Sequence, residues 1–152
     1  RFGAKIIQKN FELLGDIEYS NNEIEYANTI LKETKKELKG IDGKIKPIKP
    51  TIPAQGGSTD VGDVSQVVPV VRLGVTTAAK DGPWHSWAVV ACTGMSIGHK
   101  GMIYASKSLA MTMLDLYEKP QLIEGVKKEF IERKGDKTYV PQIPAGPPKL
   151  ID

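Results

Sequence analysis

Apolar residues recur at helical spacing along the first part of the chain. Over residues 1–14 the large apolar side chains fall on roughly one side of a helix: Phe2, Ile6, Ile7, Phe11, Leu13 and Leu14. Gly15 follows them, and glycine readily adopts the left-handed backbone conformation that ends many helices. The pattern therefore predicts a helix over residues 1–14 that ends at Gly15.

A second helix is predicted from Ser20, where the clearest local signal of the sequence begins. In Ser20-Asn21-Asn22-Glu23 the serine side chain can accept from the glutamate N–H, while the glutamate side chain accepts from the serine N–H. Apolar positions then continue at helical period as far as Leu38, and lysines crowd the last turn before Gly40. We expect one amphipathic helix to fill this region.

Residues 41–57 break the helical pattern and are rich in proline. Their three X-Pro steps exclude a helix and disfavour a central strand, so we expect an extended connector on the surface.

Residues 67–75 have the density of β-branched side chains that is typical of a buried strand. Residues 87–92 are predicted to form a second short buried strand or a strand and turn. We expect both strands in a mixed sheet flanked by helices, and therefore an α/β fold.

A further helix is predicted at about residues 97–118, with Ser96 as its N-terminal cap. Its expected core-facing side chains are Ile97, Met102, Ala105, Leu109, Met113 and Leu116. Gly98 and Gly101 in its first turns each cost roughly 1 kcal/mol relative to alanine, which indicates close packing of the backbone there.

Pro120 separates this helix from a last amphipathic helix, which is predicted near residues 121–133 and ends at Gly135. Residues 136–152 are again rich in proline and are expected to lie extended over the surface. The whole length of 152 residues fits a single domain.

Charge and cysteine content exclude several classes of protein. The net charge is only +3, and the lysines are dispersed or mixed with glutamates, so we expect solvated helix faces and no nucleic-acid partner. The single cysteine, Cys92, excludes an internal disulfide and is expected to be a small buried residue, with a reactive thiol as the alternative.

Nothing in the sequence predicts a membrane protein. No window approaches the roughly 18 consecutive apolar residues of a transmembrane helix. No signal peptide is visible, and a cytoplasmic location is expected. The chain starts at Arg1 without a methionine, so we expect further residues to precede it.

His85 is the strongest candidate for a chemical role. It follows the turn Gly82-Pro83 and lies between Trp84 and Trp87, where an imidazole could reach a cleft that the tryptophans shield from water. The alternative is a structural histidine held by hydrogen bonds. No second histidine or carboxylate lies beside it at the spacing of a metal motif, so other ligands of a metal would have to come from elsewhere.

Asp60 and Asp63 lie in a glycine-flanked loop that could bind a cation, orient a substrate amine or, through Asp60, cap a helix. The loop matches neither the calcium-binding pattern of an EF-hand nor a phosphate-binding loop.

His99 lies in the first turn of a predicted helix, where the helix dipole disfavours its protonated form. We expect a neutral hydrogen-bonding role for His99.

Taken in order, these motifs resemble a known family. GGSTDVGDVS, VVPVVRLG, WHSW and GMSIGHKGMIYASKSLA are similar to the C-terminal part of the aminobenzoyl-glutamate utilisation protein B group, within the aminoacylase/carboxypeptidase-type family of dinuclear metallopeptidases and amidohydrolases. The segment NFELLGDIEYSNNEIEYANTI resembles the helical stretch that these proteins carry after their inserted lid domain. The resemblance covers about residues 1–148.

The resemblance implies hydrolysis of an amide bond between an acyl or aroyl group and an amino acid such as glutamate. Two divalent ions, zinc or manganese, would activate a water, and a glutamate would act as general base. His85 matches the last metal-binding histidine of the family. Ser58, Thr59 and Asp60 match a loop that borders the substrate pocket, and Asp63 lies next to it.

The same resemblance implies that this chain is the C-terminal portion of a catalytic domain. Residues 1–40 would be the helices after the lid domain, 41–57 the connector, 58–135 the active-site loop with strands and helices, and 136–152 the tail. The other metal ligands and the general base would lie in the remaining N-terminal part of the protein. The complete protein is expected to be a homodimer. The chain alone is expected to be inactive. The competing hypotheses are a non-catalytic α/β module that binds an acidic ligand or protein, and an inactive remnant.

Overall fold

The computed structural model describes residues 1–49, 59–141 and 146–147, and the described residues form helices without any strand. The helices are α1 Phe2–Leu14, α2 Asn21–Glu33, α3 Val61–Val67, α4 Trp87–Thr93, α5 Ser96–Glu118 and α6 Pro120–Lys134. The predicted α/β fold with a mixed sheet is therefore wrong. None of the helices in this part of the chain combines the length and the hydropathy that a bilayer span requires.

The first predicted strand, residues 67–75, pairs with no other described segment. Val67 ends α3, and residues 68–75 have no regular structure, with Val68 and Val70 both exposed. A strand is stabilised by hydrogen bonds to a neighbouring strand, and none of the described residues lies beside this segment in that way. Pro69 also removes one of the N–H groups that such a pairing would use. β-branched composition alone does not make a strand.

The second predicted strand, residues 87–92, is the helix α4. Ser86 begins it, because its Oγ accepts a hydrogen bond from the Ala88 N–H at 3.3 Å. Ala88 and Cys92, four residues apart, are the two buried residues of α4, whereas Trp87 and Val90 are exposed. A short apolar run does not distinguish a strand from a helix by itself, and here the two buried residues have the spacing of one helix face. Cys92 is fully buried, as expected.

The first two helices form where the sequence predicts them. α1 ends at Gly15 with a φ of 77°, and the capping box of α2 is complete between Ser20 and Glu23. However, α2 ends at Glu33 and does not reach Leu38. Lys35 takes a left-handed conformation with φ 55°, and the Lys36 N–H donates to the Leu31 carbonyl at 2.8 Å. These features form a Schellman motif, in which glycine usually takes the left-handed position. Here lysine takes it, so the amino-acid sequence did not predict that α2 ends at this point.

The last two helices match their predicted positions closely. α5 begins at Ser96, although Met95 rather than Ser96 is its cap residue, and α6 ends before Gly135 at a φ of 57°. The expected close approach at the start of α5 is confirmed. A Cβ added to Gly98 would lie 2.1 Å from the Thr93 carbonyl oxygen. One added to Gly101 would lie 2.3 Å from the Thr76 carbonyl oxygen.

The apolar core lies between α2, α4 and the start of α5. Its buried residues are Ala27, Ile30, Leu31, Ala79, Ala88, Cys92 and Ile97. α1 packs on the other part of α5, and a buried polar contact joins the two helices. Asn10, 1% exposed, donates from Nδ2 to Thr112 Oγ1 at 3.0 Å and to an Asp115 carboxylate oxygen at 3.2 Å.

The core-facing side of α5 differs from the prediction. Ile97 is buried as expected, but Met102, Leu109 and Met113 are 60%, 47% and 56% exposed. The buried positions of α5 are Ile97, Gly98, Gly101, Ser108 and Thr112. α1 and the segment around Thr76 come close to α5, so the residues between them are small, and the larger apolar side chains point outward.

Ser108 provides a test of this α1–α5 interface. Its Oγ is fully buried and has no hydrogen-bond partner among the described residues. Because an unsatisfied buried hydroxyl is destabilising and alanine favours a helix more than serine, Ser108→Ala is expected to raise the free energy of unfolding by about 1 kcal/mol. Urea denaturation measures this change. Thr112→Ala is the matched comparison and should lower the free energy by about 1–2 kcal/mol, since it leaves the Asn10 amide without one acceptor. A destabilised S108A protein would show that the hydroxyl is satisfied.

Candidate functional site

His85 lies in the turn that leads into α4 and is exposed to solvent. Its backbone is left-handed, with φ 57°, a conformation in which histidine is enriched among non-glycine residues. Ser86 holds the turn: its Oγ donates to the Pro83 carbonyl at 2.6 Å and accepts from the Ala88 N–H. The ring is therefore outside the apolar core, on a turn that two hydrogen bonds fix.

Two tryptophans flank the imidazole and are themselves open to solvent. Trp84 is 66% exposed and Trp87 is 56% exposed. Beneath the turn there is only a void of about 10 Å³, bounded by Ile30, Ala78, Ala79, Gly82, Pro83, Trp84, Ala88 and Val89. The turn thus rests on the core, and a ligand could reach His85 only from its outer side. In the described part of the chain, nothing covers the tryptophans.

The predicted substrate loop leads into the short helix α3. Ser58 lies outside the described residues. Thr59 accepts a weak hydrogen bond from the Val61 N–H at 3.4 Å. Asp60 occupies the N-terminal cap position of α3, as the capping alternative predicted, but its side chain makes no capping hydrogen bond.

Asp63 has a partner that the sequence did not indicate. The Tyr139 hydroxyl donates to its Oδ1 at 2.8 Å, and this bond raises the pKa of Tyr139. The contact joins residues 76 positions apart. No local pattern could have revealed it.

No hydrogen bond or ion pair between described residues joins His85 to Asp60 or Asp63. Within residues 1–49 and 59–141, no group of three or more histidine, cysteine, aspartate or glutamate residues is placed to hold a metal ion. His99 is exposed in the first turn of α5 and belongs to no such group either. Zinc sites in proteins use three or four protein ligands, so these residues do not fit a complete metal centre.

The most strongly perturbed carboxylate of the described chain is Glu23, in the capping box of α2. Burial raises its pKa, but hydrogen bonds from Lys100, Ser96 and Ser20 outweigh that effect and hold the pKa at about 2. Lys100 Nζ lies 2.7 Å from one Glu23 oxygen and Ser96 Oγ lies 2.6 Å from the other. Perturbed carboxylates often mark active sites, but this one is satisfied from three sides at the junction of α2 and α5. We assign it a structural role.

Comparison with known proteins relates the chain to two hydrolases. It is 33% identical over 101 residues to a subunit of the p-aminobenzoyl-glutamate hydrolase of Escherichia coli, a match that covers 66% of this chain and 21% of that protein. It is 40% identical over 76 residues to the Xaa-Arg dipeptidase of Mus musculus, a match that covers 49% of this chain and 17% of that protein. The chain thus matches about a fifth of the length of these relatives. No family profile and no solved structure matches it.

Proposed function

Because this chain is related to the amidohydrolase and peptidase family that its motifs indicated, we propose that the polypeptide containing it hydrolyses an amide bond next to an amino acid. The two partial matches carry the proposal: one relative is named as a hydrolase of p-aminobenzoyl-glutamate and the other as a dipeptidase. The substrate class proposed is an acyl or aroyl group joined to an amino acid, as in aminobenzoyl-glutamate.

His85 is proposed as one ligand of a metal centre that other parts of the protein complete. Its exposure supports this role, since a ligand must reach the ion, and so does the fixed turn, since it limits the directions in which the ring can point. Two divalent ions, zinc or manganese, would supply an activated water and polarise the scissile carbonyl. The flanking tryptophans, both exposed here, would exclude bulk water once another part of the protein packs over them.

The loop before α3 is proposed to border the substrate. Ser58, Thr59 and Asp60 would contact it, with Asp63 beside them. Asp60 is exposed and its carboxylate is not used as a helix cap, so it is available to a hydrogen-bond donor such as a substrate N–H. The Tyr139 hydroxyl instead holds Asp63, which gives Asp63 a fixed orientation at the edge of the loop.

The remaining ligands and the general base are proposed to lie in the N-terminal part of the same protein, so this chain alone would be inactive. We also propose that the complete protein is a cytoplasmic homodimer. In this proposal one imidazole and a loop with carboxylates would form one side of a metal-dependent active site. The proposal that other ligands lie elsewhere is supported by the described residues, which contain no cluster of three or more potential ligands.

The test is an amidase assay of the full-length polypeptide and of the 152-residue chain, with p-aminobenzoyl-glutamate and an Xaa-Arg dipeptide as substrates. The full-length protein should hydrolyse at least one of them, contain about two divalent ions and lose its activity with a chelator, because the ions activate the water. The shorter chain should show no turnover. Hydrolysis that persists after removal of the metal, or no hydrolysis of any amide of this class by the metal-loaded protein, would refute the proposal.

A further inference from the structure

α5 exposes its largest apolar side chains. Six of them are between 47% and 78% exposed: Met102, Ile103, Leu109, Met113, Leu114 and Tyr117. They lie within a continuous sector of the helix, since residues 3, 4, 7 and 11 positions apart share a side. We call this sector the outward face of α5. Between Met102 and Tyr117 the charged residues are Lys107 at its margin and Asp115, which faces Asn10 on the other side.

Apart from Ile97, the buried side of α5 contains only small or polar residues. Gly98 lies against Thr93 at the end of α4, Gly101 lies against Thr76, and Thr112 accepts a hydrogen bond from Asn10 of α1. Ser108 is also buried on this side. Burial of apolar surface is the main driving force of folding, so a helix normally buries its large apolar residues and exposes its small polar ones. In α5 this distribution is reversed. The described part of the chain therefore packs against the side of α5 that carries small and polar residues. It leaves the outward face of α5 without a partner.

The neighbouring helix α4 also exposes large apolar side chains. α4 packs against α5 and exposes Trp87 and Val90, which are 56% and 72% exposed, and Met95 between the two helices is 48% exposed. The continuous apolar sector of α5 is the kind of surface that marks an interaction site in soluble proteins.

We propose that the remaining polypeptide of the same protein covers the outward face of α5. This rests on the proposed function, in which the chain is one part of a longer hydrolase. The length of the relatives supports it: the chain matches 21% of one and 17% of the other, so most of each relative lies outside the matched segment. A second copy of this chain fits less well. Stable interfaces between separate subunits engage about 20–30 residues on each side, far more than the outward face of one helix offers.

Cysteine labelling of the full-length protein tests this assignment. Leu109→Cys places a thiol on the outward face, and Lys128→Cys, on the charged side of α6, is the matched control because Lys128 is 79% exposed. With the protein under native conditions, labelling by a maleimide is followed by peptide mass spectrometry. The thiol introduced by Leu109→Cys should react at least about 10-fold more slowly than the control, because covering polypeptide blocks access.

Equal labelling rates at the two positions would overturn the proposal, as would a native polypeptide that ends at these 152 residues. Protection that disappears on dilution would also overturn it and assign the face to a second copy. Since the readout is access to a thiol and not hydrolysis, protection in a protein without amidase activity would refute the proposed function while leaving the covered face intact.

Discussion

Replacing His85 with asparagine in the full-length protein is expected to lower amide hydrolysis at least about 100-fold. Removing a partner of a metal ligand already costs about 10–100-fold, and loss of the ligand itself should cost more. Asparagine is the suitable substitute because it tolerates the left-handed conformation that His85 adopts at φ 57°. The turn before α4 should therefore keep its shape, and the change is confined to the imidazole.

The metal content of the same variant separates a ligand from a structural histidine. After dialysis, elemental analysis should show that H85N has lost most of one ion while its helical circular dichroism and its midpoint of denaturation are unchanged. His99→Asn is the control, because His99 is also exposed but belongs to α5 and not to the turn. It should retain its metal and stay within about twofold of the original activity. A fully active, fully loaded H85N protein would remove His85 from the mechanism.

Replacing Glu23 with glutamine is expected to lower the free energy of unfolding by about 1–3 kcal/mol at pH 7. The Glu23 side chain is 10% exposed and binds Ser20, Ser96 and Lys100, so it links the start of α2 to the start of α5. The depression of its pKa from 4.5 to about 2 sets the upper limit of the effect. The half-exposed Lys100 reduces the effect through solvent screening.

The effect of Glu23→Gln should depend on pH in a definite direction. The pKa of Glu23 is lower in the folded state than in the unfolded state, so its contribution is complete above about pH 4.5 and is lost as the pH falls through about 2. Urea denaturation of both proteins between pH 7 and pH 3 should show a difference that shrinks with acid. Glu25→Gln on the exposed side of α2 should change stability by less than about 0.5 kcal/mol at any pH. A constant difference for E23Q across this range would mean that the charge of Glu23 does not stabilise the fold.

Helices whose ends are set by neighbouring residues were predicted well. Gly15 and Gly135 end α1 and α6, and the capping box from Ser20 begins α2, because each of these signals acts within one helical turn. The end of α2 was not predicted, because Lys35 occupies a left-handed position that glycine usually takes. The two predicted strands were wrong because an apolar, β-branched run becomes a strand only when another strand pairs with it.

For the candidate site, the motifs around His85 and Asp60 correctly indicated a relationship to amide hydrolases. They did not reveal the bond between Tyr139 and Asp63, which depends on how the chain beyond α6 returns to α3. The roles of His85, Ser58, Thr59, Asp60 and Asp63 remain predictions, and the H85N experiment addresses the first of them.

The amino-acid sequence by itself determined where most helices begin or end, that Cys92 is buried, and which proteins this chain is related to. Each of these depends on local hydrogen bonds, on residue size or on a motif. Only the tertiary structure decided which side of α5 is buried. α1 and the Thr76 segment approach α5 closely enough to require Gly101 and Ser108 there, and this forces Leu109 and Met113 outward. Helical periodicity identifies the apolar side of a helix, but the neighbours that pack against the helix decide which side is covered.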